Sequence, residues 1–190
     1  MPTERLDPED PPAWAVEGVH LSAYDPAWPQ RAAAFAAELR PVLDRWLLGP
    51  IEHVGSTAIP GIVAKPVIDL MAQASDTDAV VSAAGGALDE LDWRYVPPEL
   101  DGRPWRRFFA KVSADGQHRL AHLHLITAGA ARWDQQLLFR DALRADPALR
   151  DEYATVKAKL ASLHGADRER YTDEKAAFVT RVLRDLDASG

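Results

Sequence analysis

The amino-acid sequence predicts an α+β domain that has a mixed β-sheet of about five strands, flanking helices and a helical C-terminal third. Short runs rich in β-branched and aromatic residues recur between residues 51 and 126. An Asp-Gly pair at 115–116 lies between two such runs and is typical of a β-hairpin. After Gly129 the apolar residues follow helical spacing, and no internal repeat occurs.

Composition limits the size of the domain and the classes of partner. In a chain of 190 residues we expect one domain over residues 19–190, after a flexible, acidic and Pro-rich leader at 1–18. The chain has no cysteine, no membrane-length apolar run and no signal-peptide core, so we expect a cytoplasmic protein without a membrane span. A net charge of −7 argues against general nucleic-acid binding. The oligomeric state is left open.

The first elements are a short strand and a long helix. Residues 19–24 predict an edge strand, and residues 27–48 predict a helix. The large apolar residues of this helix recur along one face, namely at Phe35, Leu39, Val42 and Trp46. Pro41 lies inside the pattern and removes a backbone donor, so we expect it to kink or split the helix.

The middle of the chain predicts the sheet. A strand, a Gly-rich loop and a second strand span residues 51–73. A helix capped by Ser75 or Asp76 follows and runs to Leu91. Three further strands are expected, at residues 93–96, 105–112 and 118–126. The last two of these are the strands of the hairpin.

Residues 128–190 predict the helical part of the domain. Three helices are expected, at residues 131–145, 147–163 and 172–186. Gly165 is suited to end the second helix in a left-handed conformation, and Thr172 is suited to cap the third. The third helix has an inward stripe of apolar residues, namely Val179, Val182, Leu183 and Leu186.

The carboxylate of Asp69 is the most unusual chemical group in the predicted sheet. It stands alone in the apolar run Val67-Ile-Asp-Leu-Met71. Burying a carboxylate is costly unless it is paired or bound to a metal. We therefore interpret Asp69 as a catalytic residue, either a metal ligand or a general base. A structural hydrogen-bond acceptor is the alternative.

A Gly-Ser turn before that strand favours phosphate binding. Gly55 permits a close backbone approach to a phosphate, and Ser56 and Thr57 add hydroxyl groups. His53 ends the preceding strand and completes the predicted ligand-binding set together with Lys65. That lysine, at the mouth of the next strand, can hold a phosphate or pair with the strand carboxylate, and a solvated surface lysine is the alternative. Neither the Walker nor the dinucleotide pattern is present.

Two histidines of the last strand form a second candidate group. His122 and His124 are two residues apart, so both side chains lie on one face of the strand. Two imidazoles with this spacing can bind one metal ion or one phosphate. We interpret both as catalytic residues and metal ligands. A pair of solvated or core histidines is the alternative.

The segment from 103 to 124 is basic within an acidic protein. Its Lys, Arg and Asp side chains sum to a charge of +4, which favours an anionic ligand, with a solvated hairpin face as the alternative. Arg107 and Lys111 share one face of the first hairpin strand. If the register places that face beside the histidines, a basic ligand-binding wall results, and the face with Arg106 and Phe108 belongs to the core. The sequence leaves this register open.

These motifs, in this order, resemble the signature of the GrpB family. The resemblance covers residues 19 to 186 and includes the whole run from Glu52 to Asp69. The other matching motifs are Tyr24-Asp-Pro-Ala-Trp28, Arg107-Phe-Phe-Ala-Lys111, His122-Leu-His124, Phe139-Arg-Asp-Ala-Leu-Arg144 and Tyr171-Thr-Asp-Glu-Lys-Ala-Ala-Phe178. The resemblance implies a nucleotidyltransferase-like fold. Some family members are fused to dephospho-CoA kinase, which implies a link to nucleotide or CoA metabolism.

The wider superfamily implies roles for some of these residues. Its Gly-Ser or Gly-Gly turn holds the triphosphate, an acidic pair on the next strand holds metal ions, and a later strand adds a third acid. Gly55 and Ser56 match the turn, and Asp69 matches the first acid. Met71 stands at the second acid, although Mg²⁺ prefers hard oxygen ligands to a thioether. This departure puts catalysis with two Mg²⁺ ions in doubt.

The place of the third acid is taken by histidines. His122 and His124 occur in the later strand that the superfamily pattern expects to supply a carboxylate. A site formed by Asp69 with these histidines favours Zn²⁺, Mn²⁺ or another borderline metal, or an ordered anion. We therefore expect a divalent metal cofactor, with Mg²⁺, Mn²⁺ and Zn²⁺ as candidates.

The sequence supports two main functions and one minor function for the same pocket. The first is transfer of a nucleotidyl group to a small molecule, with a metal at Asp69. The second is non-catalytic binding of a nucleotide or CoA-type ligand. A metal-dependent phosphoesterase is the third. In all three the partner is a phosphorylated small molecule, and the predicted ligand-binding residues are His53, Gly55, Ser56, Thr57, Lys65, Arg107 and Lys111.

Overall fold

The sheet is the centre of the fold. The computed structural model describes residues 9–18, 20–164 and 168–188, and within them the chain forms a five-stranded mixed sheet. The strands are β1 Glu52–Val54, β2 Ile68–Ala74, β3 Trp93–Val96, β4 Arg106–Val112 and β5 Arg119–Thr127. Their order across the sheet is β1-β2-β5-β4-β3. Strand β2 pairs with β5 in parallel, and the other three pairings are antiparallel. The predicted mixed sheet is confirmed.

Helices cover the sheet and fill the C-terminal third. In the described part of the chain they are α1 Ala13–Val16, α2 Trp28–Leu43, α3 Thr77–Glu90, α4 Pro98–Asp101, α5 Arg132–Ala145, α6 Pro147–His164 and α7 Arg168–Asp187. None of these helices combines the length and the apolar character that crossing a membrane requires. The predicted helical C-terminal third is confirmed.

Two apolar layers hold these elements together. Helices α2 and α3 bury Leu39 and Leu88 against one face of the sheet, where Leu70 and Leu123 contribute from β2 and β5. A separate cluster joins α5, α6 and α7 to the loop after β1. Its buried members are Ile59, Ile62, Phe139, Leu143, Tyr153, Phe178 and Val182. The loop that carries the Gly-Ser turn is therefore held between the sheet and the C-terminal helices.

Helix α2 passes through Pro41, whereas the sequence predicts a kink or split there. The helix ends at Leu43, and a 3₁₀ turn at Asp44–Trp46 follows. The missing N–H of Pro41 removes one hydrogen bond of the ladder, and only two residues of the helix follow it, so there is little helix left to displace. The predicted apolar face is confirmed, since Leu39 is fully buried and Phe35 packs against the same core.

Part of the predicted flexible leader is packed on the sheet. Residues 1–8 lie outside the described residues. In α1, Trp14 is only 6% exposed and packs on Ala110 and Val112. Arg119 Nε donates to the Trp14 carbonyl at 2.6 Å. This helix lies within the expected flexible leader but is packed on the sheet through a buried indole and a buried guanidinium.

The predicted edge strand at 19–24 is a single β-bridge within its described residues. Ser22 and Ala64 exchange two backbone hydrogen bonds, at 2.8 and 3.0 Å. Val19 lies outside the described residues. The partner segment reaches Pro66 two residues after Ala64, and proline has no N–H with which to extend a ladder. The pairing therefore stops after one bridge.

Helix α7 begins earlier than the sequence predicts. It starts at Arg168, so Thr172 lies inside the helix and does not cap it. The added turn, Arg168-Glu-Arg-Tyr171, consists largely of good helix formers. The inward stripe is confirmed at Val182, which is buried in the C-terminal cluster. Gly165 lies outside the described residues.

Candidate functional site

The register of the sheet decides which side chains surround Asp69. In the parallel pair, Asp69 lies opposite His122, and Met71 lies opposite His124. In the hairpin, Phe108 lies opposite His124. Because side chains alternate along a strand, these residues share the face of the sheet that points away from α2 and α3. The candidate site therefore lies on that face.

Arg107 and Lys111 lie on the other face, so no basic wall forms beside the histidines. Arg107 makes a bidentate ion pair with Asp78 of α3, with N–O distances of 2.5 and 2.8 Å. Lys111 Nζ pairs with Glu38 of α2 at 2.9 Å. The expected basic wall beside the histidines is therefore corrected, because both side chains bind the helices that cover the opposite face. The register places Arg106 beside the histidines instead.

Asp69, His122 and His124 come together. The Asp69 carboxylate oxygen Oδ1 accepts a hydrogen bond from His122 Nδ1 at 2.9 Å and another from His124 Nε2 at 3.3 Å. Burial acts to raise the pKa of Asp69, but the two histidine hydrogen bonds outweigh it and hold the pKa well below its usual range. The side chain is 29% exposed. Asp69 is therefore an ionised carboxylate that solvent and ligands can reach.

Arg106 fixes the proton of His124. Arg106 Nη1 contacts His124 Nδ1, and a guanidinium can only donate. The ring proton of His124 therefore lies on Nε2, where it points at Asp69. Burial, followed by the charge of Arg106, lowers the pKa of His124 to about 4, so the ring is neutral at pH 7. Asp101 holds Arg106 in place through hydrogen bonds of 2.8 and 2.5 Å.

This arrangement does not fit a metal ion bound by all three residues. Their potential ligand atoms lie within 4.8 Å of one another, which is close enough for a shared ion. However, His124 Nε2 carries a proton while Arg106 occupies Nδ1, and His122 Nδ1 donates to the same carboxylate. A metal ligand must offer a lone pair. Of the atoms that meet at the centre of the trio, only the Asp69 oxygen has a lone pair, because the lone pair of His122 lies on Nε2, which is buried and has no hydrogen-bond partner among the described residues.

Gly55 brings the Gly-Ser turn against Asp69. Its φ of +70° lies in the left-handed region, and a Cβ there would lie 2.9 Å from Asp69 Cγ. Only glycine fits this approach. Ser56 follows in the short 3₁₀ turn Ser56–Ala58, and its Oγ lies 3.3 Å from the hydroxyl of Tyr153 in α6. The turn therefore joins the sheet carboxylate to a C-terminal helix.

His53 and Thr57 brace the turn from inside. Thr57 is 1% exposed, and its hydroxyl donates to the Val67 carbonyl at 3.4 Å. The same oxygen accepts from His53 Nε2 at 3.0 Å, and burial lowers the pKa of His53 to about 4. The Thr57 hydroxyl is therefore used inside the protein, at a position where the sequence predicts a ligand contact. Lys65 is half-buried in the loop before β2.

The C-terminal helices add four residues that the sequence reasoning did not include. Tyr153 and Lys157 come from α6, and Tyr171 and Lys175 come from α7. Lys157 is 1% exposed, donates to the carbonyl of Val63, and lies 5.1 Å from the ring centre of Tyr153. The sequence signal for Tyr153 and Lys157 is a lysine among the apolar residues that recur along one face of α6. Tyr171 and Lys175 both lie in the Tyr171–Phe178 motif.

Lys157 and Lys175 make this side of the site positive. Burial, followed by the charge of Lys175, lowers the pKa of Lys157 to about 7. The pKa of Lys175 is raised, chiefly by the phenol of Tyr153, and Asp69 adds to this effect. Among the side chains that the structure describes, the Lys175 ammonium forms no hydrogen bond or ion pair. Both lysines lie within electrostatic range of Asp69.

Sequence comparison assigns the chain to a family. The family model described as GrpB protein matches residues 18–185. This chain belongs to the GrpB family. The UPF0157 protein PA4798 of Pseudomonas aeruginosa is 41% identical over 163 residues, which cover 84% of this GrpB chain and 64% of that protein. The UPF0157 protein BH1888 of Halalkalibacterium halodurans is 33% identical over 171 residues, which cover 90% of this chain and 84% of that protein.

Solved structures confirm the nucleotidyltransferase-like fold. GrpB from Enterococcus faecalis superposes with a TM-score of 0.76 at 27% identity, over 87% of this chain and 96% of that one. Cid1 in complex with its short product ApU gives a TM-score of 0.51 at 14% identity, over 74% of this chain and 42% of that one. At that identity, the second match shows the fold alone.

One relative contains this domain as a smaller part. A dephospho-CoA kinase of Mycobacterium leprae is 28% identical over 189 residues, and the match covers 86% of this GrpB chain but 45% of the kinase. The chain thus spans less than half the length of that relative, and 64% of the Pseudomonas protein. The match relates the GrpB domain to one portion of a longer protein.

Proposed function

We propose that this chain binds a nucleotide or a related phosphorylated small molecule between Asp69 and helices α6 and α7. Lys175 carries the proposal. The residue is half-buried, and its ammonium has no carboxylate partner among the described side chains. A partly buried charge without a partner is costly, and a bound anion removes that cost. A phosphate group supplies such an anion.

The surroundings of Lys175 suit a phosphate chain. Lys157 adds positive potential from behind the site, although its own Nζ is engaged by the Val63 carbonyl. The hydroxyl of Ser56 reaches toward α6, where it meets Tyr153. Gly55 lets the backbone of the turn approach a ligand closely. Gly55 lies directly against Asp69, and both lysines lie within electrostatic range of that carboxylate.

Nucleotidyl transfer is the second candidate, and the state of Asp69 favours it. Its carboxylate is ionised, fixed by two N–H donors and matched to the first acid of the superfamily pattern. It can accept a hydrogen bond from an acceptor hydroxyl and orient that oxygen toward a bound phosphate. The position of the second acid holds Met71, which is 1% exposed and packs on Val54 and Ile126. No step is therefore assigned to a metal pair.

Thermal unfolding with each of the four nucleoside triphosphates tests the binding proposal. We expect a nucleotide to raise the unfolding midpoint of the wild type and to lose this effect in Lys175→Gln. Lys159→Gln is the matched control, because Lys159 is an exposed lysine of α6. The proposal fails if Lys175→Gln responds to nucleotides as the wild type does.

Product analysis separates transfer from binding. Transfer from a nucleoside triphosphate releases pyrophosphate, whereas simple binding releases nothing. Each assay is repeated with Mg²⁺, Mn²⁺, Zn²⁺ and a chelator, in the wild type and in Asp69→Asn. Metal-dependent pyrophosphate release that Asp69→Asn abolishes supports transfer. Nucleotide binding that ignores the metal and survives in Asp69→Asn supports the non-catalytic module.

A further inference from the structure

Trp105 is the centre of a cationic cluster that borders the Asp69 site. Its ring contacts the guanidinium groups of both Arg106 and Arg132, each with its Cζ atom 5.1 Å from the ring centre. The same ring stacks on His124, with centres 6.4 Å apart and planes 12° apart. Since His124 donates to Asp69, the cluster and the carboxylate are joined through one imidazole.

The cluster contains more positive than negative charge. Asp101 makes two hydrogen bonds to Arg106 and lies 3.8 Å from Arg103, so one carboxylate faces two arginines. Arg132 has no hydrogen bond or ion pair among the described residues, and its Nε is buried without a partner. Burial, and then the charges of Arg106 and Arg103, lower the pKa of Arg132. The three guanidinium groups therefore lie close enough to repel one another.

We propose that Arg103 and Arg132 form a binding site for the anionic group, a phosphate or a carboxylate, of the acceptor substrate. A guanidinium stacked on an aromatic ring keeps its N–H edge free for bidentate contact with an oxyanion. The side chain of Arg103 is 35% exposed, which opens the cluster to solvent. An anion here neutralises the excess charge and places the acceptor beside Asp69.

The arginine site depends on the proposed function only where its ligand is called the acceptor substrate. Lys175 lies on α7, whereas Arg132 lies on α5 and Arg103 lies before β4, so the two anions are held by different residues. Arg103 and Lys175 nevertheless lie within electrostatic range of each other. The two anions therefore bind in adjacent subsites, as a donor and an acceptor must for group transfer.

Calorimetric titration with inorganic phosphate tests this site directly. The titration uses the full chain at low salt, with and without a saturating nucleoside triphosphate. We expect phosphate to bind in both conditions, at least tenfold more weakly in Arg132→Gln and severalfold more weakly in Arg103→Gln. Arg31→Gln is the control, since Arg31 lies on α2, away from the cluster, and pairs with Asp25. Wild-type phosphate affinity in both cluster variants overturns the proposal.

Stability without phosphate separates ligand binding from a structural role. If Arg132 exists to bind an anion, Arg132→Gln relieves repulsion, and its unfolding midpoint equals or exceeds that of the wild type. A marked loss of stability in Arg132→Gln, with unchanged phosphate binding in Arg103→Gln, assigns the cluster a structural role and contradicts the proposal. Loss of all phosphate binding in the presence of a saturating nucleoside triphosphate contradicts it as well.

The two proposals can fail separately. If no nucleotide binds but phosphate binding depends on Arg132 and Arg103, the anion site stands and the nucleotide proposal falls. If Lys175→Gln abolishes nucleotide binding while phosphate binds all the arginine variants equally, the nucleotide proposal stands and the anion site falls. Phosphate binding that Lys175→Gln abolishes, and that Arg132→Gln leaves intact, also places the anion at Lys175 and overturns the arginine site.

Discussion

At the scale of single residues, Asp69 is defined by what its neighbours donate to it. One carboxylate oxygen takes N–H groups from His122 and His124, and the other side of the carboxyl group lies against Gly55. Arg106 sets the proton of His124 from behind. Each of these contacts constrains charge or shape at one atom, so each can be tested by a single substitution or a single spectrum.

Gly55→Ala should damage both the fold and the site. The new methyl group would meet the Asp69 carboxyl group, and alanine would be strained at a φ of +70°. We expect a loss of about 2–4 kcal/mol in the free energy of unfolding, measured by urea denaturation. Gly86→Ala in α3 is the control, because its Cβ meets nothing within 4 Å. Equal stability of the two variants would contradict the close approach.

The tautomer of His124 is directly observable. Long-range ¹H–¹⁵N NMR of the imidazole rings should show His124 neutral at pH 7, with its proton on Nε2, because Arg106 donates to Nδ1. The ring should stay neutral down to nearly its pKa of about 4. A proton on Nδ1 at pH 7 would show that Arg106 does not hold the ring. His20, which is exposed, serves as the reference signal.

At the scale of elements, two segments far apart in sequence enclose the sheet face that carries Asp69. Helix α1 packs against Ala110, on the same face as His122. Helices α6 and α7 approach the Gly-Ser turn with their tyrosines and lysines. The turn is short, and its shape depends on both the sheet and these helices. A substitution that removes the packing of either segment should therefore lower the free energy of unfolding.

Trp14→Ala tests whether α1 belongs to the folded domain. The indole is 6% exposed, so its removal should cost about 3–5 kcal/mol in the free energy of unfolding. Val16→Ala in the same helix is the matched control, because Val16 is 65% exposed and the change should stay within about 0.5 kcal/mol. Chemical denaturation measures both. If Trp14→Ala lowers the free energy of unfolding as little as Val16→Ala does, α1 belongs to a flexible leader and not to the folded domain.

At the scale of the whole molecule, the fold buries neutral histidines next to arginines. His53 and His124 both have pKa values of about 4, well below their usual 6.5. Between pH 4 and pH 6.5, each of these rings is protonated in the unfolded chain and neutral in the folded chain. Stability from the neutral rings is therefore complete above pH 6.5 and is lost as the pH falls toward 4.

The acid sensitivity of the protein should follow these two rings. We expect the free energy of unfolding to fall by roughly 2–3 kcal/mol for each ring between pH 6.5 and 4. His53→Gln keeps an N–H donor for Thr57 but cannot titrate. The free energy of unfolding of this variant should therefore fall less between pH 6.5 and 4, by the contribution of one ring. His20→Gln, at an exposed position, is the control. An unchanged pH profile in His53→Gln would show that His53 is not buried as a neutral ring.

Local patterns in the sequence determined the elements and the isolated carboxylate. Asp76 caps α3 as expected, accepting from the backbone N–H groups of Asp78 and Ala79. The hairpin spans its Asp-Gly turn, and Asp69 lies on the predicted strand. These features depend on residues a few positions apart, and the periods of helix and strand are written directly in the order of side chains.

Only the tertiary structure decided which charges surround that carboxylate. Shifting a strand by one residue moves every side chain to the other face, and the register that selects Arg106 instead of Arg107 depends on pairing with a separate strand. Lys175 reaches the site from more than 100 residues along the chain, because apolar packing docks α7 beside the Gly-Ser turn. The proton on His124 depends on the strand pairings that place Arg106 beside Nδ1 and Asp69 beside Nε2. Neither the strand register nor the docking of α7 follows from residues close together in sequence, so tertiary packing determines the chemistry of the site.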